Sequence, residues 1–314
     1  MRGRGFVRLR RWLNVAAVIG ACCGLYASGL VGVREGGGSE AKTTPLVAVG
    51  PQYDSIHVYV APQDFDRFVQ SFIGTFGGHS SKAVEVTVTP TPSRAKWQFL
   101  QTPVGTLSVF GYKTPIPYPF GDERTGYLVR DMDVAVAAAK SSGAFVLVTP
   151  FRDAIGKDAI IEWPGGIEMQ LYWHTTAPAS AALQTIPENR VYLPEDAVDA
   201  FTRSFLAFSH GEIVSDDAHA PGIEIGRAGE TYRRIRVRSN FGKLTVLVSD
   251  GQLPYPYGRE TTGYQVANVA DTITKAKTFG ATVLAGPYTA DDRTAAMIEF
   301  PGGYVAEIHS SAGK

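Results

Sequence analysis

From residue 53 onward the chain alternates between two hydrophobic periods. Ser55-Ile56-His57-Val58-Tyr59-Val60 carries apolar side chains at every second position, the period of a strand. Pro62 ends it, and Phe65, Phe68, Val69, Phe72 and Ile73 then recur at helical spacing behind Asp64, a residue suited to cap a helix. Gly77-Gly78 stops that helix. Strands are predicted over 84–88, 97–101 and 106–112. The order then recurs, with a strand over 126–130, a helix over 133–141, and strands over 145–148, 159–163 and 167–173. Next come a strand over 189–193, a helix through Ala200, Phe201, Phe205 and Leu206, a polar loop over 215–220, and strands over 233–238 and 244–248. The last set is a strand over 263–266, a helix over 270–279, and strands over 282–285, 295–300 and 304–309. The pattern predicts an α+β protein of four βαβββ modules.

The modules form two copies. Pro117-Tyr118-Pro119-Phe120-Gly121 returns 137 residues later as Pro254-Tyr255-Pro256-Tyr257-Gly258, and Pro164-Gly165-Gly166 returns at the same offset as Pro301-Gly302-Gly303. A period this long duplicates whole domains rather than short solenoid units. The first domain is placed at 53–176 and the second at 188–314. The small, polar stretch 177–187 joins them.

Composition adds a leader. Of the 30 basic and 30 acidic side chains, seven and two fall in residues 1–44, so the remainder is acidic by five. An acidic body without a basic stripe argues against a nucleic-acid partner. Five arginines precede an uncharged run from Val15 to Val33, the pattern of an export signal or a membrane anchor. Ile19-Gly20-Ala21-Cys22 is similar to a bacterial lipobox, which would put a lipid on Cys22. Arg10-Arg11-Trp12-Leu13 faintly resembles a twin-arginine signal, and plain cleavage near Ala27-Ser28 is a further alternative. Each version sends the body out of the cytoplasm, as a periplasmic, lipid-anchored or secreted protein behind a flexible Gly36-Gly37-Gly38-Ser39 tether. Contact with a membrane is expected only through this leader. Both cysteines, Cys22 and Cys23, lie here, so the body has no disulfide and no thiol nucleophile.

Three features resemble the vicinal oxygen chelate superfamily, the glyoxalase, bleomycin-resistance and dioxygenase group. His57-Val58-Tyr59-Val60 leads to Asp64-Phe65-Asp66-Arg67, similar to the family's histidine strand and helix start. Tyr127-Leu128-Val129-Arg130-Asp131 and Tyr264-Gln265-Val266-Ala267-Asn268 resemble its second-module strand. Glu162-Trp163-Pro164-Gly165-Gly166 and Glu299-Phe300-Pro301-Gly302-Gly303 resemble the hairpin before its last strand. The resemblance covers roughly 53–310 and implies sheets curled into U-shaped clefts.

It also implies a divalent metal (Fe, Mn, Ni or Zn) on the sheet floor, held by His and Glu with open positions for a substrate. The first-strand ligand falls at His57 and at Asn189 or Arg190. The ligand opening the second module falls near Arg124 and Thr261, and the final glutamate at Gln170 and Glu307. Each half therefore keeps one of three, and no metal is expected inside either. Pairing modules across the halves would bring His57 and Glu307 together as ligand and acid/base. Glu168 is a further acid candidate. Tyr127 and Tyr264, in the duplicated segment, line pockets or pack the crossover. Trp97, Trp163 and Trp173 lie in strands, where they either pack or stack a flat ligand; His79, His210 and His219 are expected in loops or helix ends. The expected function is binding of a small, partly aromatic molecule by degenerate clefts. The alternative is a metal-dependent lyase, isomerase or ring-cleaving dioxygenase. A homodimer is compatible with either.

Overall fold

The computed structural model describes residues 46–311, so the basic leader and its Cys22 lie outside the described residues. None of the described helices is long and apolar enough to cross a membrane. The first half runs β1 (Ser55–Tyr59), α1 (Phe65–Phe76), β2 (His79–Ser80), β3 (Val84–Val86), β4 (Ala95–Thr102), β5 (Gly105–Tyr112), β6 (Thr125–Leu128), α2 (Met132–Ser141), β7 (Phe145–Arg152), β8 (Gly156–Trp163) and β9 (Ile167–His174). The second runs β10 (Glu188–Leu193), α3 (Glu195–Ser209), β11 (Glu212–Pro221), β12 (Thr231–Ser239), β13 (Gly242–Val248), β14 (Thr261–Gln265), α4 (Val269–Thr278), β15 (Thr282–Ala290), β16 (Arg293–Phe300) and β17 (Tyr304–Ser311).

Three predictions need correction, for residues 215–220, for His79 and His219, which lie in strands rather than in loops or helix ends, and for Asp64. Residues 215–220, expected as a loop, belong to the edge strand β11. An edge strand carries polar side chains on both faces, so no apolar alternation marks it. Asp216 and Asp217 here pair with Arg233 and Arg234 of β12; His219 lies in the same strand, as His79 lies in β2. Asp64 precedes α1 but makes no side-chain cap, its carboxylate pairing instead with Arg67 at 2.8 Å.

Each half closes its own curled mixed sheet. The strand orders are β2-β4-β5-β1-β6-β9-β8-β7, with β3 also on β4, and β11-β12-β13-β10-β14-β17-β16-β15. At the centre of the first, β1 is parallel to β5 and antiparallel to β6, which is parallel to β9. The second repeats this with β10, β13, β14 and β17. Ser55 opposes Gly126 as Glu188 opposes Gly263, which makes His57 the counterpart of Arg190. Gly126 opposes Gln170 as Gly263 opposes Glu307, so those two are also counterparts.

Sheets form within the halves, but cores form between them. One core joins α1, β1, β4 and β5 to α4, β14, β16 and β17. The other joins α2, β6, β8 and β9 to α3, β10, β12 and β13. Phe72 meets Tyr264 at 5.5 Å and Phe300 at 5.1 Å between ring centroids, and Tyr127 stacks on Phe241 at 4.4 Å. The duplicated Pro-Gly-Gly hairpins complete this exchange. A Cβ on Gly165 would lie 2.5 Å from Leu193, and one on Gly302 2.8 Å from Val60, each across the boundary between halves. Both glycines have positive φ, 93° and 88°, so the turn and the close approach each require glycine.

This arrangement decides a further expectation. The first and fourth modules do meet, but through their core faces. His57 and Glu307 point the other way, onto the concave faces of separate sheets, and share no cleft.

Candidate functional site

Strand alternation assigns the concave faces. In β1, Ile56 and Val58 enter the core, so Ser55, His57 and Tyr59 face the first cup. In β9, Met169 and Leu171 enter the core, which leaves Glu168, Gln170 and Tyr172 on the cup side. By the same rule Glu188, Arg190 and Tyr192 of β10, with Glu307 and His309 of β17, face the second cup.

In the first cup His57 is buried, with Nδ1 3.4 Å from Oε1 of Glu123. Tyr59 donates to the same oxygen, and the Gly121 N–H donates to Oε2 at 2.9 Å. Glu123 is fully buried by these partners. A Cβ at Gly126 would sit 2.7 Å from Nε2 of His57, so a glycine on β6 lets the imidazole lie there. Asp158 on the neighbouring strand is buried, and its carboxyl is held well above its ordinary value, chiefly by burial, against the influence of Gln170. Tyr59 stacks on Phe110 at 5.3 Å and, with Tyr112 and Trp97, builds an aromatic wall on this face. Trp163 instead lies in the core, against Phe208 at 5.1 Å, and Trp173 packs against the same core.

In the second cup an arginine stands where His57 stands in the first. Arg190 is 1% exposed, and its Nη1 lies 2.8 Å from Oε2 of Glu307 and 3.2 Å from Oε1 of Glu188. Arg293 reaches Glu188 at 2.7 Å and Glu307 at 3.3 Å, and Nδ1 of His309 lies 3.0 Å from Glu307. Burial alone would raise the glutamate pKa values. Arg190, then the His309 contact and Arg293, bring Glu307 below its ordinary value, and Arg293 with Arg190 takes Glu188 well below. Beside them, Arg234 pairs with buried Glu224, which also accepts from Tyr232 at 2.7 Å.

The remaining expected site residues lie elsewhere. Tyr127 and Tyr264 pack the two cores, where Tyr264 shares a 2.7 Å hydrogen bond with Tyr304, and neither lines a cup. Asn189 faces the boundary between halves, which settles the alternative in favour of Arg190 as the cup residue. The Arg124 guanidinium lies over the Tyr59 ring at 5.6 Å, and the Thr261 hydroxyl is buried without a partner. A space of about 70 Å³ beside His57 is shared with Arg124, Glu260 and Tyr304. It suits a few waters, since a ligand pocket spans roughly 300–1,000 Å³.

The donor set does not fit the metal that the family resemblance implies. In the second cup a guanidinium, which cannot ligate a cation, occupies the first-strand position and saturates Glu307. In the first cup the last-strand glutamate is replaced by Gln170. Among the described residues no group of three or more His, Cys, Asp or Glu side chains is placed to hold a metal ion.

Two other carboxylates give a pH dependence. Glu168, touched by the Tyr118 hydroxyl at 3.4 Å, is pushed up to about 7 by burial and by Asp122, Glu123 and Glu162. Glu260, between the halves, is pushed up to about 8 by burial, against the pull of Arg124. A carboxyl with a raised folded pKa favours the native state at low pH, and that contribution is lost as pH rises through the folded value. Glu188 and Glu307 act oppositely, losing theirs as pH falls below the ordinary carboxylate range. Stability therefore peaks near pH 5 and falls by at least about 1 kcal/mol by pH 8. Urea midpoints across this range check it, and Glu168→Gln should flatten the alkaline limb. A midpoint that rises steadily to pH 8 would contradict these assignments.

Sequence reasoning named His57, Glu307 and the Arg190 alternative but missed the arginine cluster around Arg190 and Glu307. The signal was present: in Arg233-Arg234-Ile235-Arg236-Val237-Arg238 the period of two puts Arg234 and Arg236 on one face.

No protein-family model and no curated protein matches the chain by sequence. Its fold does match solved structures. A mutant of 4-hydroxymandelate synthase from Streptomyces coelicolor superposes with a TM-score of 0.56 at 14% identity, over 84% of this chain and 94% of that one. A variant of homoprotocatechuate 2,3-dioxygenase from B. fuscum gives 0.54 at 14%, over 87% and 73%. The Mn(II)-bound glyoxalase from Novosphingobium aromaticivorans gives 0.51 at 15%, over 85% and 84%. Four βαβββ modules in two curled sheets, matched along most of their length by these proteins, give this chain the fold of the vicinal oxygen chelate superfamily in tandem.

Proposed function

We propose that the protein is an exported small-molecule-binding member of this fold whose cups work without a metal. The observation that carries this is the buried Arg190–Glu307 pair, which occupies the ligand positions of the second cup. The first cup supports it with Gln170 in place of a carboxylate and an aromatic wall of Tyr59, Trp97 and Phe110 suited to a flat ligand. Export rests on the basic, then apolar, leader alone.

A second reading is enzymatic. It is favoured by the neighbours, which are a synthase, a dioxygenase and a Mn(II)-bound glyoxalase, and by the imidazole–carboxylate pair of His57 and Glu123. Such a pair is the arrangement of a general base and its orienting acid.

Elemental analysis of protein purified from medium supplemented with manganese, iron, nickel and zinc separates the two. The metal-free reading expects well under one equivalent per chain, unchanged in His57→Ala and Glu307→Ala. One equivalent of metal, lost in either variant, would replace it with the metal-dependent form of the enzymatic reading.

A further inference from the structure

The second cup has more buried hydrogen-bond donors than acceptors. Nε and Nη2 of Arg190, Nε of Arg234, and Nε and Nη2 of Arg236 are all shielded from solvent without a partner, as are the hydroxyls of Tyr192 and Tyr288. The ion pairing is uneven as well. Arg190, Arg234, Arg236 and Arg293 surround three buried glutamates, Glu188, Glu224 and Glu307. Asp217 and Asp291 reach in from the rim, but only to Arg234. Among the described residues Arg236 has no carboxylate at ion-pair distance. Burial and the neighbouring Arg234 and Arg293 disfavour its charged form.

We infer that the second cup holds a small monocarboxylate, anchored by Arg236 and by the unpartnered edge of Arg190. One guanidinium, that of Arg236, lacks a paired carboxylate, so a single negative charge completes its pairing and a dianion exceeds it. A carboxylate presents two oxygens to the planar guanidinium fork, the pairing that arginine makes best. The hydroxyls of Tyr192 and Tyr288 supply further donors around it. This inference rests on the metal-free reading of the cup, because the anion uses the arginines that exclude the cation.

The test is calorimetric titration of the whole protein with benzoate and with inorganic phosphate, repeated in Arg236→Gln and in the exposed control Arg238→Gln. Saturable benzoate binding is expected, stronger than phosphate binding. It should weaken by about tenfold or more in Arg236→Gln, as expected for loss of a charge-assisted contact, and stay unchanged in Arg238→Gln. Arg236→Gln orphans no carboxylate, so its ligand-free urea midpoint should equal or exceed that of the wild type; a merely structural arginine would lower it. Absence of benzoate binding, preference for phosphate, or binding indifferent to Arg236→Gln would each overturn the inference. None of these outcomes touches the metal-free reading, which elemental analysis decides separately.

Discussion

Arg190→Met lowers the folding stability by about 3–5 kcal/mol, the usual consequence of removing one partner from a buried ion pair. The cost comes from the carboxylates left behind rather than from the attraction lost. Glu188 and Glu307 are 4% and 1% exposed, and without Arg190 the one guanidinium left to them is that of Arg293, with His309 beside Glu307. The double variant Arg190→Met/Glu307→Met removes the stranded charge as well and should recover a large part of the loss. Urea unfolding of the wild type, the two single variants and the double variant completes the cycle. A single-variant loss below about 1 kcal/mol, the range of exposed pairs, would mean that the pair is not the desolvated centre of the second cup.

Phe72→Ala is the second large effect, at about 3–5 kcal/mol for emptying a fully buried aromatic site. Phe72 lies on α1 in the first half, yet two of its nearest rings, Tyr264 and Phe300, belong to the second. The loss should therefore fall on the whole molecule. All three tryptophans of the described residues, Trp97, Trp163 and Trp173, are in the first half, whereas far-UV circular dichroism reports both. The two signals should shift together in Phe72→Ala and remain coincident, as for one cooperative unit. Separate transitions would show that the exchanged cores do not couple the halves.

Much of the fold was legible because periodicity is a local property. The alternation at His57-Val58-Tyr59 and the helical spacing of Phe65, Phe68 and Phe72 fix strand and helix without reference to anything distant. The repeat at Pro164 and Pro301 exposed the duplication, although not its purpose, which is to dock each hairpin on the opposite half. The strand β11 was hidden because its partners for Asp216 and Asp217 come from a neighbouring strand. The cup residues were harder for a related reason. Whether Asn189 or Arg190 faces the cup depends on register, and a slip of one residue exchanges the two faces. Tyr127 and Tyr264 looked equally fit for a pocket or a core, and only the packing of α3 and α1 against them decides for the core. The network around Glu307 draws on β10, β12, β16 and β17, so its members are spread over more than a hundred residues of sequence.

The most direct measurement is anomalous scattering at the manganese edge from a crystal of the whole protein soaked in manganese chloride. Both cups are expected to show no anomalous peak, with the Arg190 guanidinium still against Glu307. A manganese ion coordinated by Glu307, with Arg190 swung aside, or one seated on His57 and Glu123, would contradict the metal-free reading.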